Sequence, residues 1–221
     1  MVTIGVAICC YHGHLSKLGR LFDSIEHQTR RPDEVVVSCS STTLEDVVYR
    51  RDMYTVPFRI LIHGERRNAA QNRNYASAQL STDVVTFFDA DDIMHPQRLA
   101  VIADAFEAHP TLQILLHNTE FGISLEFPRF TNVYLYMNQL GQCPWGSTTL
   151  KVPLNEAHIA NGHVSVRRRV LTEITYPEGV GFRGREDTVF TTEIIRRWPL
   201  GTAYCLNILS RYEPSGTLGM L

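Results

Sequence analysis

The chain has 221 residues, of which 44% are hydrophobic and 20% charged, with 21 basic and 23 acidic side chains giving a formal charge of −2. These figures exclude a disordered, collagen-like or low-complexity chain and suit one soluble domain whose core needs no staples. They also lack the basic excess of a protein that binds nucleic acid through its backbone. The elements then follow in order. Val2 to Cys10, rich in Val and Ile with small residues between, predicts a strand covered on both faces. Leu18, Leu21, Phe22 and Ile25 form an apolar stripe at helical spacing, and Arg30-Arg31-Pro32 stops that helix. Val35–Val37 predicts a second strand, Thr43 to Arg51 a short helix, and Phe58 to Ile62 a third strand. Asn68 to Gln79 predicts a helix. Asp83 to Phe88 predicts a fourth strand, running into Asp89-Ala90-Asp91-Asp92. Pro96 opens a helix reaching about Glu107, and Leu112 to Leu116 predicts a fifth strand. Residues 121–151 show no helical period. Beyond them, strands are expected at His163 to Val166 and Ala203 to Leu209, a short helix at Arg168 to Glu173, and a longer one at Glu186 to Arg197. The tail after Glu213 reads as mobile.

Strands alternating with helices imply an α/β domain with a mostly parallel central sheet flanked by helices. It reads as one unit over 1–221, with a regular half at 1–110 and an irregular half at 111–221. The five cysteines (Cys9, Cys10, Cys39, Cys143, Cys205) form no C-x-x-C pair, so neither a disulfide framework nor a zinc site is expected. A reducing, cytoplasmic setting fits, with no integral membrane segment. Among the basic residues only Lys17 and Lys151 are lysines, which reads mostly as a bias of composition.

In open α/β sheets ligands sit beyond the carboxyl ends of the strands, and the fourth strand delivers Asp89, Asp91 and Asp92 to such an end. Asp89 and Asp91 are two apart, so on an extended backbone they point the same way. Two carboxylates held together call for a cation, and their oxygens suit Mg²⁺ or Mn²⁺ with open positions for a diphosphate. The plain alternative is a solvated acidic turn capping the next helix. Near the far end, Gly179, Gly181 and Gly184 build a close-turning loop before Glu186-Asp187, at a helix N-terminus that favours carboxylates. His12-x-His14 has metal-like spacing but lacks a third ligand nearby.

The run NRNYASAQLSTDVVTFFDADDIMHP resembles the metal-binding region of family 2 glycosyltransferases, which have the GT-A fold. Arg73-Asn74 stands sixteen residues before Asp89-Ala90, as in that family. The segment TIGVAICCYHGHLSKLGRLFDSIEHQTRRPDEVVVSCSST is similar to its first strand, helix and second strand, and GFRGREDTVFTTEIIRR to its Gly-rich turn, Glu-Asp pair and following helix. The resemblance covers roughly residues 3 to 110 and 160 to 198.

The resemblance implies a GT-A-type domain whose first half binds a nucleotide-diphosphate sugar, with a UDP-sugar foremost. Asp91 would hold Mn²⁺ or Mg²⁺, and Asp89 would lie near the ribose and metal, with Ala90 between them. Asp92 would cap the next helix or orient its neighbours. Cys10, Tyr11 and His12 would cradle base and ribose. Ser38 and Ser40 stand where the family has an Asp that contacts the base, a departure, and Ala76 replaces a common Gly. Arg73 would contact the diphosphate or brace the carboxylates. Asp187 would deprotonate the acceptor hydroxyl in an inverting transfer, supported by Glu186. Gly162 and His163 would lie near the acceptor, and Trp145 would stack on a sugar or pack over the sheet. The acceptor would be a glycan, lipid-linked or protein hydroxyl. Rival readings are a sugar nucleotidylyltransferase, for which CCYHGHLSK is a poor phosphate loop, and a non-catalytic nucleotide-sugar or glycan-binding module, which has no need of the Glu-Asp pair.

Overall fold

The computed structural model describes residues 1–47, 54–122, 124, 126–138, 158–159 and 162–213. Its centre is a twisted sheet. Strands β1 (Ile4–Tyr11), β2 (Glu34–Ser40), β3 (Phe58–His63) and β4 (Val84–Asp89) run parallel in the spatial order β3-β2-β1-β4. A second group continues the sheet: β6 (Ile114–Phe121) and β10 (Thr202–Tyr212) are parallel to each other, and β9 (Ser165–Arg167) joins β4 to β6 by antiparallel pairing to both. Short strands β5 (Ile93–Met94) and β7 (Leu135–Met137) pair with β10, and β8 (His158–Ile159) pairs with β6.

The strands are buried along their length, and successive side chains point to opposite faces and divide the core into two layers. Val6, Ile8, Val35, Val37 and Phe88 face one layer with Leu21, Phe22 and Ile25 of helix α1 (Leu18–Glu26) and Ile102 and Phe106 of α3 (Arg98–Ala108). Ala7, Val36, Val85 and Phe87 face the other, against Ala70 and Ala76 of α2 (Ala69–Ala78) and Phe190, Ile194 and Ile195 of α4 (Glu186–Arg197). Apolar covering on both faces is what made these strands read as unbroken apolar runs. The α/β reading with a mostly parallel sheet therefore stands.

Several local readings change. The described part of the expected helix at Thr43–Arg51 is a turn, because the Asp46 carboxylate accepts from the Thr43 N–H and hydroxyl at 2.8 Å each and competes with helical bonding. Residues 48–51 of that segment lie outside the described residues. His163 precedes β9 in a turn rather than starting the strand, and Arg168–Thr172 is a 3-10 turn. The segment expected as Ala203–Leu209 extends over Thr202–Tyr212 because three neighbouring strands satisfy its backbone. Cys143, Lys151, Trp145 and the tail beyond Glu213 lie outside the described residues. Among the described residues no helix is long and apolar enough to cross a membrane.

Candidate active site

The parallel strands β2, β1 and β4 end side by side, and the register brings Tyr11 beside Ser40 and Cys9 beside Asp89. Above these ends opens a cavity of about 390 Å³ lined by Cys9, Cys10, Tyr11, Ser40, Arg67 and Glu186 among others. Its walls are the start of α2 and the 177–184 segment. Helix α2 begins with a reciprocal cap between Asn68 and Gln71. Its inward face is made of small residues, which lets Asn72 and Arg73 be buried against the strand ends. Asn72 donates to the Cys10 carbonyl and the Ser40 hydroxyl and accepts from the Ser38 hydroxyl, all within 2.9–3.1 Å. Ser38 thus belongs to the floor below the cavity, while Ser40 reaches its lining. Ser41, also in the lining, adopts a left-handed backbone at φ 53°, an uncommon conformation for a residue with a Cβ. His12 turns away to face Asp46 at 3.8 Å, and it is His14 that lines the cavity.

Arg73 crosses the site. Its Nη2 donates to Asp89 Oδ1 at 2.7 Å and its Nη1 to Glu186 Oε1 at 3.2 Å, with the guanidinium over the Tyr176 ring. Burial works to raise the Asp89 pKa, but Arg73 beside it overrides that and holds the carboxyl down at about 2. Cys9 Sγ sits 2.9 Å from the same oxygen, and its thiol is pushed up by burial and by that carboxylate. Asn74, the partner in the Arg-Asn pair, donates to the Tyr176 carbonyl and Glu178 Oε1 and accepts from the Tyr176 N–H, each at 2.9 Å. Arg73 and Asn74 therefore tie the first half of the chain to the second.

The three aspartates after β4 diverge. Ala90 is buried and its N–H bonds the Cys9 carbonyl. Asp91 faces His14 Nε2 at 3.4 Å and Lys17 Nζ at 3.9 Å. Asp92 turns inward, where its Oδ2 lies 2.9 Å from His163 Nε2 and its Oδ1 accepts from the Glu213 N–H. Burial raises the Asp92 carboxyl to about 6. The His163 ring stacks on Phe88 and its Nδ1 contacts Ser210 Oγ at 2.9 Å. Its Nε2 has no well-aligned hydrogen bond and lies 3.8 Å from Asp89. Among the described residues Asp89, Asp92 and His163 bring donor atoms within 4.8 Å of one another. Carboxylate oxygens and an imidazole nitrogen left without an aligned partner suit a divalent ion such as Mn²⁺ or Mg²⁺. Gly162 passes so close that a Cβ there would stand 3.1 Å from Asp89 Oδ2.

Glu186 and Asp187 open α4. Glu186 lines the cavity, whereas Asp187 is half-buried beside it and accepts from the Thr188 N–H at 2.6 Å. Burial raises the Asp187 pKa above the ordinary carboxylate value, with Arg73 pulling the other way. Sequence reasoning missed Lys17, Asn72, Ser210 and Glu213. An asparagine at helical spacing between Ala69 and Ala76 was the one available signal, for Asn72.

A sequence profile described as glycosyl transferase family 2 matches residues 5–175. No curated protein matches the sequence. Among solved structures the chain is similar to S. aureus TarS 1-349 in complex with UDP-GlcNAc, at TM-score 0.70 and 17% identity over 96% of this chain and 59% of that one. It is similar to the mannosyltransferase PcManGT from Pyrobaculum calidifontis in complex with GDP-Man and Mn2+, at TM-score 0.66 and 16% identity over 98% of this chain and 58% of that one. It is also similar to M. tuberculosis glucosyl-3-phosphoglycerate synthase, at TM-score 0.62 and 15% identity over 100% of this chain and 74% of that one. The chain spans 60% of the TarS 1-349 chain. At these identities the likeness is one of fold: GT-A.

Proposed function

The chain belongs to glycosyl transferase family 2, and from that premise we propose that it moves a single sugar from a nucleotide-diphosphate donor to a hydroxyl acceptor, inverting the anomeric centre. The observation that carries this reading is Arg73, which joins Asp89 at the strand ends to Glu186 beside Asp187. One buried guanidinium thereby fixes the spacing between a donor side and an acceptor side, and holding reactants in a near-attack geometry can supply a large share of the rate gain.

In this reading Cys10, Tyr11 and Ser40 line the nucleotide pocket, with a UDP-sugar as the foremost donor. The acceptor, a glycan, lipid-linked or protein hydroxyl, approaches from the Glu186-Asp187 side. Asp187 takes the hydroxyl proton as the new bond to the anomeric carbon forms and the bond to the diphosphate oxygen breaks. Its raised pKa makes it a better proton acceptor than an ordinary carboxylate. Glu186 stays engaged by Arg73 and orients the acceptor. Gly162 lets the backbone pass close to Asp89 without crowding it.

Asp89 and Asp91 would hold Mn²⁺ or Mg²⁺, which when bound neutralises charge on the leaving diphosphate. Two directions are open for closing a cation on Asp89: outward with Asp91, or inward with Asp92 and His163. Exposure favours the outward pair. The Asp92 and His163 side chains are 3% and 0% exposed, while those of Asp89 and Asp91 are 21% and 14% exposed. A catalytic cation keeps coordination positions for substrate phosphates, which the more exposed outward pair leaves open more readily. Asp92 and His163 then brace the acidic run from behind.

Thermal-shift screening against UDP-, GDP-, CMP- and dTDP-sugars, with and without Mn²⁺, tests the donor reading. A ligand that binds only the native state raises its stability with affinity. A metal-dependent rise with a UDP-sugar is expected, and no metal-dependent shift with any nucleotide overturns it.

A further inference from the structure

Lys17 is the only lysine among the described residues of a chain that elsewhere uses arginine. It closes the short 3-10 helix His12–Lys17 that follows β1. Its Nζ lies 3.9 Å from Asp91 Oδ2 and 3.4 Å from Glu213 Oε2. Glu213 is itself anchored: Arg20 pairs with its carboxylate, and its N–H donates to Asp92 Oδ1 at 3.1 Å. Each aspartate of the acidic run therefore has its own cationic or titratable partner. Asp89 has Arg73, Asp92 has His163, and Asp91 has Lys17 with His14 alongside.

These partners differ in kind. Arg73 is a planar fork locked by two carboxylates and an aromatic face. Lys17 carries a compact point charge on a flexible four-carbon stem. At 3.9 Å it balances Asp91 electrostatically but stands beyond hydrogen-bond reach. The nearer carboxylate, Glu213, gives the ammonium somewhere else to rest.

We propose that Lys17 is an exchangeable counter-cation for Asp91. Without a divalent ion its ammonium, shared between Glu213 and Asp91, balances the Asp91 charge; when a divalent ion binds Asp91, Lys17 is left to Glu213 alone. Lys17 thus sets how tightly the site takes up metal. The inference rests on the assignment of Asp91 as an outward metal ligand.

The test is titration of the full chain with Mn²⁺ alone, followed by loss of the six-line electron paramagnetic resonance signal of the free ion. Lys17→Met and Lys17→Gln both remove the competing charge, and thermal unfolding checks that each is folded. Both variants should bind Mn²⁺ about fivefold tighter or more, since a unit charge about 4 Å away is a strong competitor at a partly buried carboxylate. Lys17→Arg, which keeps the charge, should not tighten binding. Unchanged or weaker affinity in both neutral variants, with binding still lost in Asp91→Asn, overturns the role of Lys17 and leaves the metal site standing. Absence of Mn²⁺ binding in all the proteins overturns both.

Discussion

Arg73 donates to Asp89 across 2.7 Å from a guanidinium whose side chain is 6% exposed. Removing one member of a buried ion pair strands the other, which costs about 3–5 kcal/mol. Asp89 keeps some contact with water, so Arg73→Met is expected near the lower end, about 3 kcal/mol. Arg73→Lys should recover little, because one ammonium cannot serve Asp89 and Glu186 together. Urea unfolding of the three proteins measures this directly. A loss below about 1 kcal/mol would place the pair among surface ion pairs and remove its bracing role.

As the proposed base, Asp187 must be ionised to accept a proton, and burial holds its pKa above the ordinary carboxylate value. Acidification protonates it, so kcat/KM should fall toward low pH along a limb set above that ordinary value. Asp187→Asn should lower kcat by ~10²–10⁴ and abolish the limb while the unfolding temperature stays near wild type. A variant within about tenfold of wild type would not have lost its general base.

The sheet was legible because its strands are buried on both faces and so appear as short apolar runs between turn signals. The acidic run was legible because Asp89 to Asp92 are contiguous. What each aspartate does was not, since its partners come from distant segments: Lys17 for Asp91, and Glu213, 121 residues away, for Asp92. Periodicity places His163 at the start of a strand, whereas it stands in a turn with its ring between Phe88 and Ser210. Strands β5, β7 and β8 span only two or three residues each, too few to carry a period. His12 and His14 looked alike in sequence, and only the path of the 3-10 helix separates the one facing Asp46 from the one facing Asp91.

The two directions for closing a cation on Asp89 separate by mutation. With the outward pair, Asp91→Asn should eliminate measurable Mn²⁺ binding. His163→Gln, acting from behind, should weaken it about 10–100-fold, the usual effect of an outer partner. Isothermal titration with Mn²⁺ on both variants distinguishes them. If Asp91→Asn binds normally and His163→Gln does not bind, the inner Asp89, Asp92 and His163 group is the site instead.

Asn74 offers a test of how the two halves are held together. Its amide closes three hydrogen bonds, two to the Tyr176 backbone and one to Glu178. These fasten the wall that continues through Gly179 and Phe182 along the cavity. Asn74→Ala strands the Tyr176 N–H, and an unpaired buried donor costs about 1–3 kcal/mol. A stability loss of about 2 kcal/mol is therefore expected. The wall would also be less well positioned for the donor, so KM for the nucleotide sugar should rise more than kcat falls. Asn74→Asp keeps the acceptor for Tyr176 but loses both donated bonds and sets a like charge beside Glu178, so it should not rescue. Equal losses in kcat and kcat/KM with KM unchanged would mean that Asn74 acts on the transition state and not on the pocket wall.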